Sequence, residues 1–406
     1  MIIEWSVENF GSFSDVQKIS CEANTDSSLR DSNVFEIGGK GIEGVVKSVA
    51  ILGRNGSGKT HLLNALAHIQ GIAIKGVRDG GTEQYLSGGF SHKKNIPKEL
   101  PSRIEVVVLV DEIKYHYGVT ICHWGTIVEE FLNVYITAKP QKWFHKRVIY
   151  NSEGEFLRYE YESCVKLKGD KSVWEKATNS TELFLAKASK LGSKQLFPFY
   201  DWLCNKLVFV GEECYSEKLR KNREYKGVNE LCRFLGLPYG YSDEQLIDDS
   251  FKSFRATKYG KVVPFFWEGE SEADLALLDF AIILLDVFRQ GKTLVADSFF
   301  DKLHPITICK ILQLFHNSAI NTKKSQLLFT THHVSLLDQK LLRRDQIWFI
   351  EKEYESAPYM ENGQSELHRL TEFSPRKTDN IARNYLAGEY GAIPEQGDIS
   401  SIIACI

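Results

Sequence analysis

Several features are missing from this sequence of 406 residues. None of its eight cysteines forms a Cys-x-x-Cys pair, so the sequence indicates neither a zinc site nor a disulfide framework, and it predicts reduced thiols in a cytoplasm. The net charge of −3 excludes an overall basic field for nucleic acid. Residues 1–5 do not resemble a signal peptide. The longest apolar helix candidate, Leu275 to Phe288, carries Asp279 and Asp286 and is too short for a bilayer, so no membrane contact is predicted.

A phosphate-binding loop stands out among the features that are present. Residues Gly53 to Thr60 read Gly-Arg-Asn-Gly-Ser-Gly-Lys-Thr and fit the pattern G-x-x-x-x-G-K-[ST]. The apolar, β-branched run Val45 to Leu52 before the loop predicts one buried strand, and apolar residues at helical spacing predict a helix from about Lys59. Backbone N–H groups and the helix dipole bind phosphate in this strand–loop–helix context.

The pattern also assigns candidate nucleotide-binding residues. They are Asn55, Gly56, Ser57, Gly58, Lys59 and Thr60. Lys59 is predicted to reach the β- and γ-phosphates of ATP, and Thr60 to hold Mg²⁺. Asp297 closes the apolar strand candidate that begins at Leu294, where a carboxylate would also bind Mg²⁺. His332 closes the next strand candidate, and we predict that Asp297 and His332 are catalytic residues.

Strands that alternate with helices after this loop predict an α/β fold with a mostly parallel, doubly wound sheet. The ligand should lie at the carboxyl ends of the strands. We predict one half of an ATPase core with β-hairpins at 1–164, an inserted α-rich lobe at 165–262 and the second half of the core at 263–406. Residues 71–103 are predicted to form a long loop that lies over the nucleotide.

The predicted lobe contains three helix candidates, which are Thr181 to Leu191, Leu196 to Phe209 and Val228 to Leu235. It also contains a run of basic and aromatic residues, which are Tyr215, Lys218, Arg220, Lys221, Arg223, Tyr225 and Lys226. Such a run is typical of a contact with nucleic acid or of a solvated helix face, and both interpretations stay open.

The chain resembles the ABC-type, RecF/SMC-like ATPases of the abortive-infection family (AbiL-like), which accompany bacterial anti-phage systems. The resemblance covers nearly the whole chain, and the segments that carry it are Val7 to Phe13, Gly53 to Thr60, Leu294 to Asp297, Leu303 to Pro305, Leu328 to His332, Leu341 to Phe349 and Tyr385 to Pro394. The resemblance implies an ABC-type head that uses ATP and Mg²⁺. It also implies that His332 contacts the γ-phosphate and that two heads pair around the nucleotides.

The sequence departs from the family pattern at four places. Ser298 follows Asp297, where relatives carry a glutamate that polarises the attacking water. The signature segment reads Glu270-Ser271-Glu272-Ala273-Asp274 and lacks its glycine, and its acidic residues would repel a γ-phosphate. Phe300 stands at the position of an aspartate, with Asp301 shifted by one, and Gly11 replaces a basic residue. These departures predict intact nucleotide binding with impaired hydrolysis, unless Asp301 or a partner chain compensates.

The first hypothesis for function is therefore an ATP-binding subunit of an anti-phage defence system. It would self-associate and act as a nucleotide-gated scaffold or sensor for a separate effector, a nuclease or toxin. The alternative is an active DNA-linked ATPase of the RecF/SMC repair type, although no sustained heptads indicate a coiled-coil arm. A nuclease activity of its own is disfavoured because 56 residues follow Ile350 and no compact acidic cluster is visible. Whether the chain hydrolyses ATP stays open.

Overall fold

A computed structural model gives the fold of most of the chain. It describes residues 1–38, 41–77, 100–122, 125–137, 139–152, 155–211, 227–237, 239–241, 253–256, 262–265, 271–337, 340–353, 363–376 and 378–394. Its strands are β1 Ile2–Glu8, β2 Gln17–Ser20, β3 Val34–Glu36, β4 Gly44–Val46, β5 Ser48–Leu52, β6 Ser102–Val110, β7 Ile113–Ile121, β8 Ile127–Tyr135, β9 Gln141–Tyr150, β10 Phe156–Ser163, β11 Leu207–Val210, β12 Tyr239–Tyr241, β13 Ser253–Ala256, β14 Val262–Phe265, β15 Thr293–Ala296, β16 Gln326–Thr330, β17 Ile347–Glu353 and β18 Gln364–Arg369. Its α-helices are α1 Arg30–Asn33, α2 Lys59–Lys75, α3 Lys171–Ala177, α4 Phe184–Lys190, α5 Phe197–Asp201, α6 Val228–Leu235, α7 Glu272–Gln290, α8 Pro305–His316 and α9 Ile381–Leu386.

The central sheet has the strand order β11-β15-β16-β5-β17-β18. Its first five strands are parallel, and β18 pairs antiparallel with β17. Helix α7 lies in the connection from β11 to β15, and α8 joins β15 to β16, since parallel strands need a crossover connection. The predicted α/β class, a mixed sheet with a parallel core, is confirmed, and β18 is the strand that makes this sheet mixed.

A second sheet of seven strands is antiparallel and has the order β10-β9-β8-β7-β6-β1-β2. It contains both predicted hairpins, which are β6 with β7 and β9 with β10. The two small sheets in the described part of the chain are β3 with β4 and β12 with β13 and β14. The side-chain amide of Gln326, at the start of β16, bonds the backbone N–H of Ile2 at 2.8 Å and its carbonyl at 2.9 Å, which ties the two larger sheets together.

Alternation along β5 places the two cores of the protein on opposite faces of the central sheet. Val49 and Ile51 belong to a core formed with α2 and the seven-stranded sheet. Ala50 and Leu52 belong to a core formed with α7 and α8. Since side chains in a strand point alternately to opposite faces, a strand buried on both faces must be apolar throughout, as β5 nearly is.

Four predicted elements have different bounds in the structure, and the predicted helix Thr181 to Leu191 is the shorter α4, Phe184–Lys190. The predicted strand Val45 to Leu52 is two strands, because the fully buried Lys47 interrupts it and donates to the carbonyl of His316 at 3.1 Å. The predicted helix Leu196 to Phe209 ends in a π-turn at Lys206, after which β11 joins the central sheet. Helix α2 continues to Lys75, so the first residues of the predicted 71–103 loop are helical.

The position of β11 bears on the division of the chain. This strand lies inside the stretch predicted as a lobe, yet it is hydrogen-bonded to β15 of the core sheet. The helices α4 and α5 also pack into the core formed with α2. The boundaries at 165 and 262 stay a prediction, whereas β11 itself is part of the central sheet.

Helix α7 starts and stops as its sequence indicates. The side chain of Ser271 accepts a hydrogen bond from the backbone N–H of Asp274, and Gly291 ends the helix in the left-handed region at φ 65°. None of the described helices combines the length and hydrophobicity needed to cross a membrane.

A buried histidine in α2 provides a test of the packing. His68 is 3% exposed, and no described residue bonds either of its ring nitrogens. Burial lowers the pKa of His68 to about 4, from about 6.5 in an unfolded chain. The contribution of His68 to the free energy of unfolding therefore does not change with pH above 6.5, and it becomes less favourable as the pH falls towards 4. We expect His68→Leu to raise the free energy of unfolding at pH 7 by about 1–3 kcal/mol and to flatten its loss below pH 6.5.

His316 is the matched control, because burial also lowers its pKa, to about 3, but its Nε2 lies 2.9 Å from Ser48 Oγ. His316→Leu should flatten the pH dependence in the same way while lowering the free energy of unfolding at pH 7. Urea titrations at pH 5 and pH 7 measure both quantities. A His68→Leu protein that is less stable than wild type at pH 7 would contradict this account of the packing.

Candidate nucleotide site

The glycine loop lies between β5 and α2, at the carboxyl end of the parallel strands. Gly56 and Gly58 have φ angles of 75° and 108°, which non-glycine residues rarely adopt. A Cβ atom on Gly53 would lie 2.6 Å from the carbonyl oxygen of Ile350, and one on Gly58 would collide with Ser12 Oγ. The loop glycines are therefore required by backbone angle and by close packing.

Neighbouring strands hold the loop in place. Ser365 Oγ lies 2.6 Å from the carbonyl oxygen of Ser57 and 2.6 Å from Ser12 Oγ. Arg54 donates to the carbonyl oxygen of Lys352 at 2.7 Å. Ser12 and Ser365 are both buried. The turn after β1 and the start of β18 therefore hold the glycine loop on its buried side.

Lys59, the first residue of α2, is buried at the base of the loop. Its Nζ donates to the carbonyl oxygens of Gly53 at 2.7 Å and Arg54 at 2.9 Å. Burial lowers the pKa of Lys59 to about 8, and the negative charges of Asp301 and Asp297 oppose that shift. The ammonium group is thus mostly protonated at pH 7 and can serve as a cation for phosphate.

Asp297 lies at the end of β15, beside the end of β16. Its Oδ1 accepts a hydrogen bond from Thr330 Oγ1 at 2.8 Å, and that same hydroxyl accepts from the backbone N–H of Ser298 at 2.7 Å. Ser298 has a positive φ of 53°. Thr330 therefore orients both the carboxylate and the residue that stands where a glutamate was expected.

Asp301 holds the segment that carries the predicted switch histidine. Its Oδ1 accepts from the backbone N–H of His332 at 2.8 Å and from Thr331 Oγ1 at 3.2 Å. His332 itself is exposed. Partial desolvation of the ring and the positive charge of Lys59 lower the pKa of His332. Oδ1 of Asp301 therefore positions the segment that carries His332.

His61 lies in the first turn of α2, directly after Thr60. Its Nδ1 accepts a hydrogen bond from the backbone N–H of Ser12 at 3.2 Å. Burial lowers the pKa of the His61 ring. A Cβ atom on Gly11 would lie 2.5 Å from Cγ of His61, so this glycine leaves the space that the ring fills.

The structure brings most of the predicted site residues into one cleft. The described residues that line it are Asn55, Gly56, Ser57, Gly58, Lys59, Thr60, His61, Ser298 and His332. Asp297 directly precedes Ser298 in the chain and therefore lies next to the residues that line the cleft. Sequence reasoning missed His61, Thr330, Ser12 and Ser365. The place of His61 directly after the loop and the threonine pair before His332 are signals that point to two of them, whereas neither serine has a recognisable signal.

The predicted departures have partial structural explanations. Phe300 is fully buried in the core with Phe280 and Phe299, so its side chain is structural. Ser271 caps α7, while Glu270 lies outside the described residues.

The basic and aromatic run from Tyr215 to Lys226 also lies outside the described residues, as do residues 78–99 of the predicted loop.

A glycine loop between the parallel strand β5 and helix α2, with an aspartate at the end of β15 on the far side of β16, is the arrangement of a P-loop ATPase. The sequence profile of a family described as "AAA domain, putative AbiEii toxin, Type IV TA system" matches residues 48–338, from β5 to the turn after His332. The chain belongs to this family. The predicted membership of a P-loop ATPase family is confirmed, whereas the narrower AbiL-like assignment stays a prediction.

The other comparisons add little. A search of curated proteins gives no match. Among solved structures, the chain is similar to the SMC head domain from Thermotoga maritima, with 12% sequence identity and a TM-score of 0.45. That similarity covers 91% of this chain and 98% of the other.

Proposed function

We propose that this protein binds ATP with Mg²⁺ at the glycine loop and hydrolyses it slowly. The observation that carries the proposal is the cleft in which the loop, the start of α2 and His332 face one another. Lys59 supplies a protonated amine for phosphate, and the loop N–H groups and the dipole of the 17-residue α2 favour an anion at the same place.

The residues of the cleft fit both ligands. A side chain on Gly56 would meet no described atom within 4 Å, so this part of the loop faces open space that a phosphate can enter. Ser57 Oγ is buried and has no hydrogen-bond partner among the described residues, which supports a polar ligand nearby. Thr60 and Asp297 would hold Mg²⁺ through a hydroxyl and a carboxylate, the oxygen ligands this ion prefers. Bound Mg²⁺ would neutralise charge on the phosphates.

Slow hydrolysis is proposed because the described residues that line the cleft include no carboxylate that could act as a base. Ser298 lines the cleft where a glutamate was expected, and its hydroxyl is a poor base at neutral pH. Asp301 is the nearest alternative in sequence, but its Oδ1 already accepts two hydrogen bonds from the His332 segment. We therefore assign Asp301 to positioning and His332 to contact with the terminal phosphate.

The proposed biological role is a nucleotide-gated scaffold in anti-phage defence, which controls a separate nuclease or toxin. The family description, with its toxin and Type IV toxin–antitoxin terms, supports a role beside a toxic effector. A protein that binds ATP and hydrolyses it slowly can act through a surface whose conformation depends on whether ATP is bound.

Self-association is the first test of this role. We expect the purified chain to form dimers or higher assemblies at micromolar concentration, because symmetric pairing is the commonest assembly and nucleotide-binding heads pair around their ligand. Sedimentation velocity with and without ATP–Mg²⁺ measures it. A monomer under both conditions would count against a scaffold built from paired heads.

A further inference from the structure

Two contacts with Ser12 favour one tautomer of His61. The backbone N–H of Ser12 lies 3.2 Å from Nδ1 and can only donate, so it needs a lone pair on Nδ1, and Ser12 Oγ, 3.3 Å from the same nitrogen, can donate to that lone pair as well. The neutral ring therefore carries its proton on Nε2. No described residue accepts a hydrogen bond from this nitrogen, and the ring lines the cleft beside Lys59 and His332.

The place of His61 in α2 directs this donor towards an anion. Side chains in a helix tilt towards its N-terminus, and His61 lies in the first turn, where backbone N–H groups also face the loop. The ring keeps this position because Gly11 has no side chain, since a Cβ atom there would lie 2.5 Å from Cγ of His61 and 2.7 Å from its Nδ1.

We propose that His61 is a nucleotide-binding residue whose Nε2–H donates to a phosphate oxygen, with Ser12 as the residue that positions its ring. The inference rests on the proposed ATP site and adds a contact that the glycine-loop pattern does not contain. It assigns to the Gly11–Ser12 turn a role in nucleotide affinity, although neither residue lines the cleft.

Three variants of His61 and two probes test the assignment. Dissociation constants for ATP–Mg²⁺ and for inorganic tripolyphosphate–Mg²⁺ are measured for His61→Ala, His61→Asn, His61→Gln and wild type. A hydrogen bond to a charged acceptor predicts about tenfold weaker binding of both probes by the alanine and asparagine variants. His61→Gln keeps a donor near the place of Nε2 and should stay within about threefold of wild type.

Gly11→Ala displaces the ring without changing it, and Gly38→Ala is its matched control. Both glycines have a φ of 59°, but a Cβ on Gly38 meets no described atom within 4 Å. Thermal unfolding should therefore show a similar backbone cost in the two variants. Only Gly11→Ala should weaken nucleotide binding, by about the same factor as His61→Ala.

Two results would overturn the inference. One is wild-type affinity for both probes in His61→Ala. The other is weaker binding of ATP with unchanged binding of tripolyphosphate, which would place the contact on the sugar or base. Lys59→Ala distinguishes these failures from failure of the site itself, because unchanged binding in that variant would contradict the proposed function whatever His61 does.

Discussion

Replacing Lys59 with alanine is expected to abolish ATP binding, with a loss of affinity of more than about 100-fold. The substitution removes the buried lysine of the loop, which is mostly protonated at pH 7 and whose Nζ would exchange the carbonyls of Gly53 and Arg54 for phosphate oxygens. It also removes the opposing charge for Asp297 and Asp301, so the cleft becomes net negative and repels phosphate.

Equilibrium binding of a fluorescent ATP analogue measures the effect. Lys75→Ala is the matched control, since it removes an exposed lysine from the last turn of the same helix. That variant should bind as wild type does. Unchanged affinity in Lys59→Ala, with a melting temperature close to that of wild type, would refute the site.

Steady-state hydrolysis is expected to be slow, at roughly 0.001–0.1 s⁻¹. The estimate takes the median of about 10 s⁻¹ for enzymes and removes the 10²–10⁴-fold that a positioned base contributes. Ser298→Glu should raise the rate at least tenfold, because residue 298 already lines the cleft in a conformation fixed by Thr330. Turnover is measured by phosphate release, with and without DNA.

Ser298→Ala is the control for this result. It removes the hydroxyl without adding a carboxylate, so the slow turnover should not change. Turnover near 10 s⁻¹ in the wild-type protein, or strong stimulation by DNA, would contradict slow hydrolysis and favour the DNA-linked ATPase alternative. An unchanged rate in Ser298→Glu would place the limit at the 270–274 segment.

The sequence was sufficient to predict the elements that position the cleft. Runs such as Leu294 to Ala296 are apolar and short, as strands buried on both faces must be, and the polar residue after each run marks the carboxyl end of a strand. The loop pattern then connected Thr60 with Asp297 across about 240 residues, because parallel strand ends meet at one edge.

What sequence reasoning missed depends on contacts between distant residues. Ser12 and Ser365 touch the loop through single hydroxyl groups, and a serine at a turn or strand start has no distinctive pattern. The predicted strand is interrupted at Lys47 because the ammonium group of Lys47 donates hydrogen bonds to the carbonyl oxygen of His316 and to Ser318 Oγ, at the end of α8. Strand β11 was assigned to a helix because a four-residue apolar stretch fits either period.

The most direct test of the account follows the fate of bound nucleotide in a single turnover. Labelled ATP–Mg²⁺ is mixed with excess protein, and the bound fraction and its conversion to ADP are followed from milliseconds to minutes. We predict that the wild-type protein captures ATP and keeps most of it intact for at least several seconds, whereas Lys59→Ala captures none. Conversion of bound ATP within a fraction of a second, or no capture by the wild-type protein, would contradict the central claim of binding with slow hydrolysis.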